Sequence, residues 1–181
     1  MESRLEELAA AMALCSNAEL LDDGTVTGEP TEAALVVWSD KIGRSKNDLK
    51  KAYPRIGEAP FDSSRKMMST VHKHDGIIQY TKGAPDEILK KCVSFIKNGE
   101  IHSMTEGYHS QILDANKVMA GKALRVLAVA CRKHDSAPET YEPQTLEHDL
   151  CFMGLAGMID PVRPEVMDAI IECRGAGIRP I

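Results

Sequence analysis

Val71-His72-Lys73-His74-Asp75-Gly76-Ile77-Ile78-Gln79-Tyr80 sets two strand-forming runs on either side of an Asp-Gly turn. Asp-Gly between such runs is the composition of a tight antiparallel connection, so residues 71–80 predict a β-hairpin. A second pair, 93–96 with Ile101, repeats the arrangement across Asn98-Gly99. Further on, 124–131 and 151–159 read as buried strands, separated by a polar, proline-marked loop at 133–148.

Helical spacing surrounds this strand-rich centre. Upstream, Leu5, Leu8, Ala9, Met12 and Ala13 recur at three- and four-residue steps with no glycine or proline, predicting a helix over 5–20 that stops before Asp22-Asp23-Gly24. Pro30 opens a second helix to about Ile42, and a short third one occupies 48–52 before Pro54. Downstream, 85–92 and 105–121 read as helices, the latter with Gly121 as its C-terminal cap. Pro161 and Pro164 make 160–164 a stiff joint, 165–175 is an amphipathic helix, and 178–181 reads as a strand just beginning, the expected end of a cut fragment.

Composition bounds the whole. The chain has 181 residues, 43% apolar and 27% charged, which fits one globular domain, or one plus a fragment. Its longest uncharged apolar stretch, 150–159, is too short for a spanning helix, so no segment is expected to enter a membrane. Twenty-two basic against 27 acidic residues give a net charge of −5, with no basic tract longer than a lysine pair, which argues against duplex nucleic acid as a partner. Five cysteines without a CxxC pair read as reduced, mostly core thiols of a cytosolic protein.

Chemistry-bearing segments are few. No GxxxxGK[ST] loop or complete dinucleotide glycine fingerprint exists, which excludes phosphate-loop and Rossmann nucleotide sites. His72, His74 and Asp75 have no further ligands spaced to complete a metal site and read as a solvated hairpin tip. In Phe61-Asp62-Ser63-Ser64-Arg65-Lys66 a lone aromatic precedes two cations: the ring is either core, or it stacks on a flat ligand while the cations face phosphate. Thr81-Lys82-Gly83-Ala84-Pro85 puts a lysine at a strand end and a glycine before a proline-opened helix, either an ordinary turn or a place of close ligand approach. Arg125 sits in an apolar strand and needs an anionic partner or an exposed strand end.

Gly28-Glu29-Pro30-Thr31-Glu32, the 61–66 segment, Lys82-Gly83-Ala84-Pro85, Leu124-Arg125-Val126-Leu127 and the 157–163 segment stand in the order found in P-type ion-motive ATPases. The chain resembles the nucleotide-binding domain of their type II branch, which includes the calcium pumps, over residues 8–181. That resemblance implies an α+β fold, an antiparallel β-sheet flanked by helices. It implies a nucleotide-binding domain at 1–159, with 160–181 as the hinge and the start of the returning phosphorylation domain. ATP is the implied ligand: Glu32, beside Thr31, would hydrogen-bond the adenine amino group and Phe61 would stack on the ring. Lys66 and Lys82 would line the pocket, Gly83 would allow close approach, Arg125 would reach the phosphates and Leu127 would close the wall.

The implied partners are ATP or ADP and the phosphorylation and actuator domains of the same longer chain, on the cytoplasmic side of a membrane. Otherwise the chain is expected to be a monomer. The acceptor segment Asp-Lys-Thr-Gly-Thr and the Thr-Gly-Asp segment are expected outside this chain, along with most ligands of Mg²⁺, so binding without turnover is expected. A stand-alone regulatory nucleotide module is the alternative, and the cut-off strand at 178–181 argues against it. Three departures stand out: Ser63 where animal calcium pumps carry arginine, implying one phosphate contact fewer, Asp86 after Gly-Ala-Pro, and Val162 in the hinge.

Overall fold

The computed structural model describes residues 2–21, 23–159 and 165–179. Helix α1 (Glu2–Leu14) leads to a two-stranded antiparallel ribbon, β1 (Glu19–Leu20) with β2 (Val26–Thr27). Helices α2 (Pro30–Lys41) and α3 (Lys46–Ala52) follow. Then come β3 (Arg55–Asp62), β4 (Met67–Lys73), β5 (Ile77–Gly83), α4 (Pro85–Leu89), β6 (Cys92–Lys97), β7 (Glu100–Ser103) and α5 (Glu106–Ala120). The chain continues through β8 (Arg125–His134), α6 (Pro143–Leu146), β9 (Leu150–Met158) and α7 (Glu165–Gly175).

Seven strands form one sheet in the order β3-β4-β5-β8-β9-β6-β7. Every neighbouring pair is antiparallel except β6 with β9, which run parallel. The fold is therefore α+β, as the resemblance implied, with one parallel pair in a mostly antiparallel sheet. The hairpin at 71–80 is real and longer than its turn signal: β4 and β5 pair from Lys73↔Ile77 out to Met67↔Gly83.

Alternation along these strands sends side chains to two differently covered faces. Met68, Tyr80 and Val129 pack under α1, α2 and α3 with Met12, Leu14, Leu35 and Leu49. Met67, Ala128 and Ala130 face the other way, against Ile88, Leu89 and Ile112 of α4 and α5. Farther along that second face Ala59 and Val71 bury Leu146 of α6. Cys15, Cys92, Cys131, Cys151 and Cys173 are free thiols.

Several expectations need correction. The first helix ends at Leu14 rather than running to residue 20, and Glu19–Leu20 is a strand. Arg55 donates to the Leu14 and Ser16 carbonyls at 2.8 and 2.7 Å, satisfying helix-end acceptors that a longer α1 would have used internally. The helix read over 85–92 stops at Leu89, and Cys92 already belongs to β6. Gly121 is the C-cap of α5 as read, but with φ −63°, and the left-handed position falls on Ala123 at φ 58°. Ile178 and Arg179 are in no strand, whereas 160–164, 180 and 181 lie outside the described residues.

His72 is not at a solvated tip: it is buried, 1% exposed. Its Nδ1–H donates to the Tyr53 carbonyl at 2.9 Å, leaving Nε2 to accept from the Thr70 hydroxyl at 2.9 Å. Burial first, then the Arg55 and Lys46 cations, push its pKa down to about 4 against the bond to Tyr53. A folded-state pKa below the unfolded value means that the unfolded chain takes up the proton first. The stability is complete above pH ~6.5 and falls as the pH drops through about 4. The loss attributable to this group approaches about 3 kcal/mol. Urea denaturation at pH 7 and pH 4 should show that extra loss in the parent chain, and a His72→Gln variant should lack it; parallel pH profiles would refute the assignment.

Candidate functional site

Gly28 adopts φ +125°, and a Cβ there would lie 2.7 Å from the Ala18 Cα, so only glycine lets the chain turn this close to the 15–18 segment. Pro30 then occupies the first turn of α2, where its missing N–H costs nothing. This turn places Thr31 and Glu32 at the helix start, beside the sheet. Glu32 Oε1 accepts from Lys82 Nζ at 2.6 Å, and its Oε2 accepts from the Asn17 backbone N–H at 2.8 Å. The pair is desolvated, with side chains 6% exposed for Lys82 and 16% for Glu32. Burial alone would raise the Glu32 carboxyl, but the Lys82 ammonium and the bonds from Lys82 and Asn17 outweigh it and hold the group below its ordinary value.

Thr31 makes the next link: Arg125 Nη1 donates to its Oγ1 at 2.7 Å. Arg125 begins β8 at an exposed strand end, which is how the sheet accommodates a cation in an apolar strand. Beside that bond a cleft of about 490 Å³ opens between the start of α2 and Met158 of β9. Leu127, two residues along β8, is half-buried against the cluster under α1 and lies opposite Ala156.

Phe61 is 62% exposed, and the other seven aromatic side chains are buried or half-buried. It lies on edge strand β3, next to Asp62, which pairs with Met67, which in turn pairs with Gly83. Two strand spacings, ~10 Å, thus separate the ring's strand from that of Lys82. The Asp62 carboxylate accepts from the Ser64 hydroxyl and from the Ser64 and Arg65 amides, bonds that hold it below its ordinary pKa and fix the turn. Lys66 closes this turn with φ 55° and remains exposed, its Nζ 3.9 Å from Glu87.

Two sequence readings change here. Arg65 does not join Lys66 at a shared anion site, because its guanidinium is held by the buried Glu147 carboxylate and by the Pro60 carbonyl at 2.8 Å. Gly83 is demanded by the chain itself: a Cβ would meet the Lys66 carbonyl oxygen and lie 2.7 Å from the Met67 Cβ. The structure therefore joins Thr31 to Arg125 and Glu32 to Lys82 directly. Phe61, Lys66, Gly83 and Leu127 lie along the same end of neighbouring strands. Sequence reading missed Asn17, Arg55 and Lys46 around this group; Asn17 contributes a backbone N–H, which leaves no side-chain signature.

A family model described as "P-type ATPase, cytoplasmic domain N" matches residues 4–165. The chain belongs to this P-type ATPase family. Its similarity to whole proteins agrees: the chain is 46% identical over 171 residues to a calcium-transporting ATPase 1 of Bacillus cereus, covering 94% of this chain and 19% of that protein. It is 40% identical over 175 residues to a calcium-transporting ATPase 1 of Lactococcus lactis, covering 96% and 20%. To a sodium/potassium-transporting ATPase subunit alpha-1 of Oreochromis mossambicus it is 33% identical over 195 residues, covering 96% and 19%. The chain thus spans about a fifth of the length of the relatives it matches. Among the described residues no helix is long and apolar enough to cross a membrane.

Proposed function

We propose that this chain holds ATP for a longer P-type cation-transporting ATPase, a calcium pump by its relatives, and presents the γ-phosphate to an aspartate carried elsewhere in that protein. The observation that carries the reading is Phe61, an aromatic face left in solvent at the end of β3, the same end of the sheet at which Lys66 leads into β4 and at which β5 and β8 carry Lys82 and Arg125. Leaving a ring of that size in water is poorly explained by packing; stacking on adenine accounts for it.

Glu32 accepts from the adenine amino group. Lys82 and the Asn17 amide each use one of its oxygens, which fixes the carboxylate's orientation and leaves lone pairs over. Lys66 and Lys82 line the pocket and Leu127 forms the wall, while Gly83 lets the Lys66 turn close against the end of β5 beside them. Arg125, with Thr31 as its rest, reaches the phosphates. Residues 1–159 form the nucleotide-holding unit, and 160–181 lead back to the phosphorylation domain, which with the actuator domain is the partner of this chain. Among the described residues no three His, Cys, Asp or Glu side chains converge to hold a metal, so no Mg²⁺ ligand is assigned here.

Calorimetric titration with ATP, GTP and adenosine, with and without Mg²⁺, tests this together with a phosphate-release assay. ATP is expected to bind with little Mg²⁺ dependence, and adenosine to compete. GTP should bind about 5- to 150-fold more weakly, because its ring oxygen meets Glu32 as a second acceptor, a mismatch worth about 1–3 kcal/mol. No steady phosphate release is expected. Equal affinity for ATP and GTP would remove Glu32 from the adenine, and turnover abolished by Lys82→Ala would show a complete active site in this chain.

A further inference from the structure

The 15–18 segment between α1 and β1 is buried except at Asn17, and irregular backbone in such a place needs donors for its carbonyls. Two cations supply them from distant elements. Arg55 at the start of β3 donates to the carbonyls of Leu14 and Ser16 and to Asn17 Oδ1 at 2.8 Å, and it is anchored by Glu58 at 2.6 Å. Lys46, 1% exposed at the start of α3, donates to the Ser16 carbonyl at 2.9 Å and to that of Ala18. From below, the Cys15 thiol rests on the Met68 and Tyr80 carbonyls of β4 and β5 at 3.6 and 3.5 Å.

An ammonium buried on carbonyls, with no carboxylate of the described residues in contact, is an expensive way to fill a loop. What this expense fixes is the Asn17 N–H, and the Asn17 N–H fixes Glu32 Oε2 at 2.8 Å. We propose that Arg55 and Lys46 are positioning residues of the nucleotide site: by clamping the 15–18 segment they hold the Asn17 amide where it orients the Glu32 carboxylate toward adenine. The inference rests on the role given to Glu32 above. It adds a chain of contacts, Arg55 and Lys46 to the 15–18 carbonyls, Asn17 to Glu32, and Glu32 to Lys82, that sets adenine selectivity from residues remote from the ligand.

The test uses the full chain and two readouts, the ¹H–¹⁵N resonance of the Asn17 amide and the ratio of ATP to GTP affinity. Arg55→Gln, with an unchanged far-ultraviolet spectrum and unmoved β8 and β9 amides, is expected to shift the Asn17 amide upfield as its bond to Glu32 lengthens. ATP affinity should fall about tenfold, the worth of one charge-assisted hydrogen bond, while GTP affinity holds. Arg55→Lys should restore part of both readouts, which a general loss of stability would not predict. Should Arg55→Gln fail to fold, Asn17→Ala removes only the Oδ1 acceptor of Arg55 and keeps the backbone N–H, and the ATP to GTP affinity ratio is expected to fall by a smaller factor. An unmoved amide or an unchanged ATP to GTP ratio in a folded variant overturns the proposal. If the parent chain binds no nucleotide, the ATP reading fails by itself, and the Asn17 resonance alone still decides whether Arg55 orients the contact to Glu32.

Discussion

Glu32→Ala is expected to destabilise the fold by about 3–5 kcal/mol, the range for removing one partner of a desolvated ion pair. With side chains 6% and 16% exposed the pair is largely removed from water, and without the carboxylate the nearly buried ammonium is left in the sheet's covered face. The Asn17 amide loses its acceptor in the same step. Glu32→Gln should cost less, because its amide oxygen still accepts one of the two bonds. Pairing Glu32→Ala with Lys82→Met should recover most of the loss, since an apolar side chain leaves no charge unpaired. Urea denaturation of the two single variants and the double variant measures this cycle. Additive losses would mean that the 2.6 Å contact contributes no coupling and that Lys82 is solvated in solution.

Phe61→Ala is expected to leave the unfolding midpoint nearly unchanged and to weaken ATP and ADP binding alike by about 1–3 kcal/mol, the worth of stacking a base on an aromatic side chain. The contrast between the two measurements is the point. A core phenylalanine costs about 3–5 kcal/mol of stability on truncation, whereas a ring that is 62% exposed has little packing to lose. Calorimetry with both nucleotides and a melting curve settle it together. A stable variant with unchanged affinity would remove Phe61 from the site, and a strongly destabilised one would return the ring to the core.

What could be read from the residues in order is what neighbours in the chain decide. Asp75-Gly76 and Asn98-Gly99 placed two hairpins, and Pro30 and Pro85 placed two helix starts, because these signals act through the dihedral preferences of one or two residues. The same locality explains the failures. No glycine or proline stands between Leu14 and Leu20, where Ser16 and Asn17 only weakly disfavour a helix, and the carbonyls of Leu14 and Ser16 are taken up by Arg55 and Lys46, dozens of residues away. Strand β3 escaped notice because its exposed end and its bulges against β4 blur the alternation expected of a half-buried strand.

At the site, the residue types were legible through the family resemblance and their states were not. Whether Phe61 is core or surface, whether Arg65 faces a ligand or the buried Glu147, and what Gly83 makes room for are all set by which strands lie side by side. Sequence by itself determined the α+β character, the hairpins and the candidate residues, since period, turn chemistry and motif order are properties of the chain. Only the tertiary structure joined Glu32 to Lys82, 50 residues apart, and turned β6 parallel to β9. Contacts of that kind depend on the burial of whole faces against one another, and no short stretch of residues carries that information.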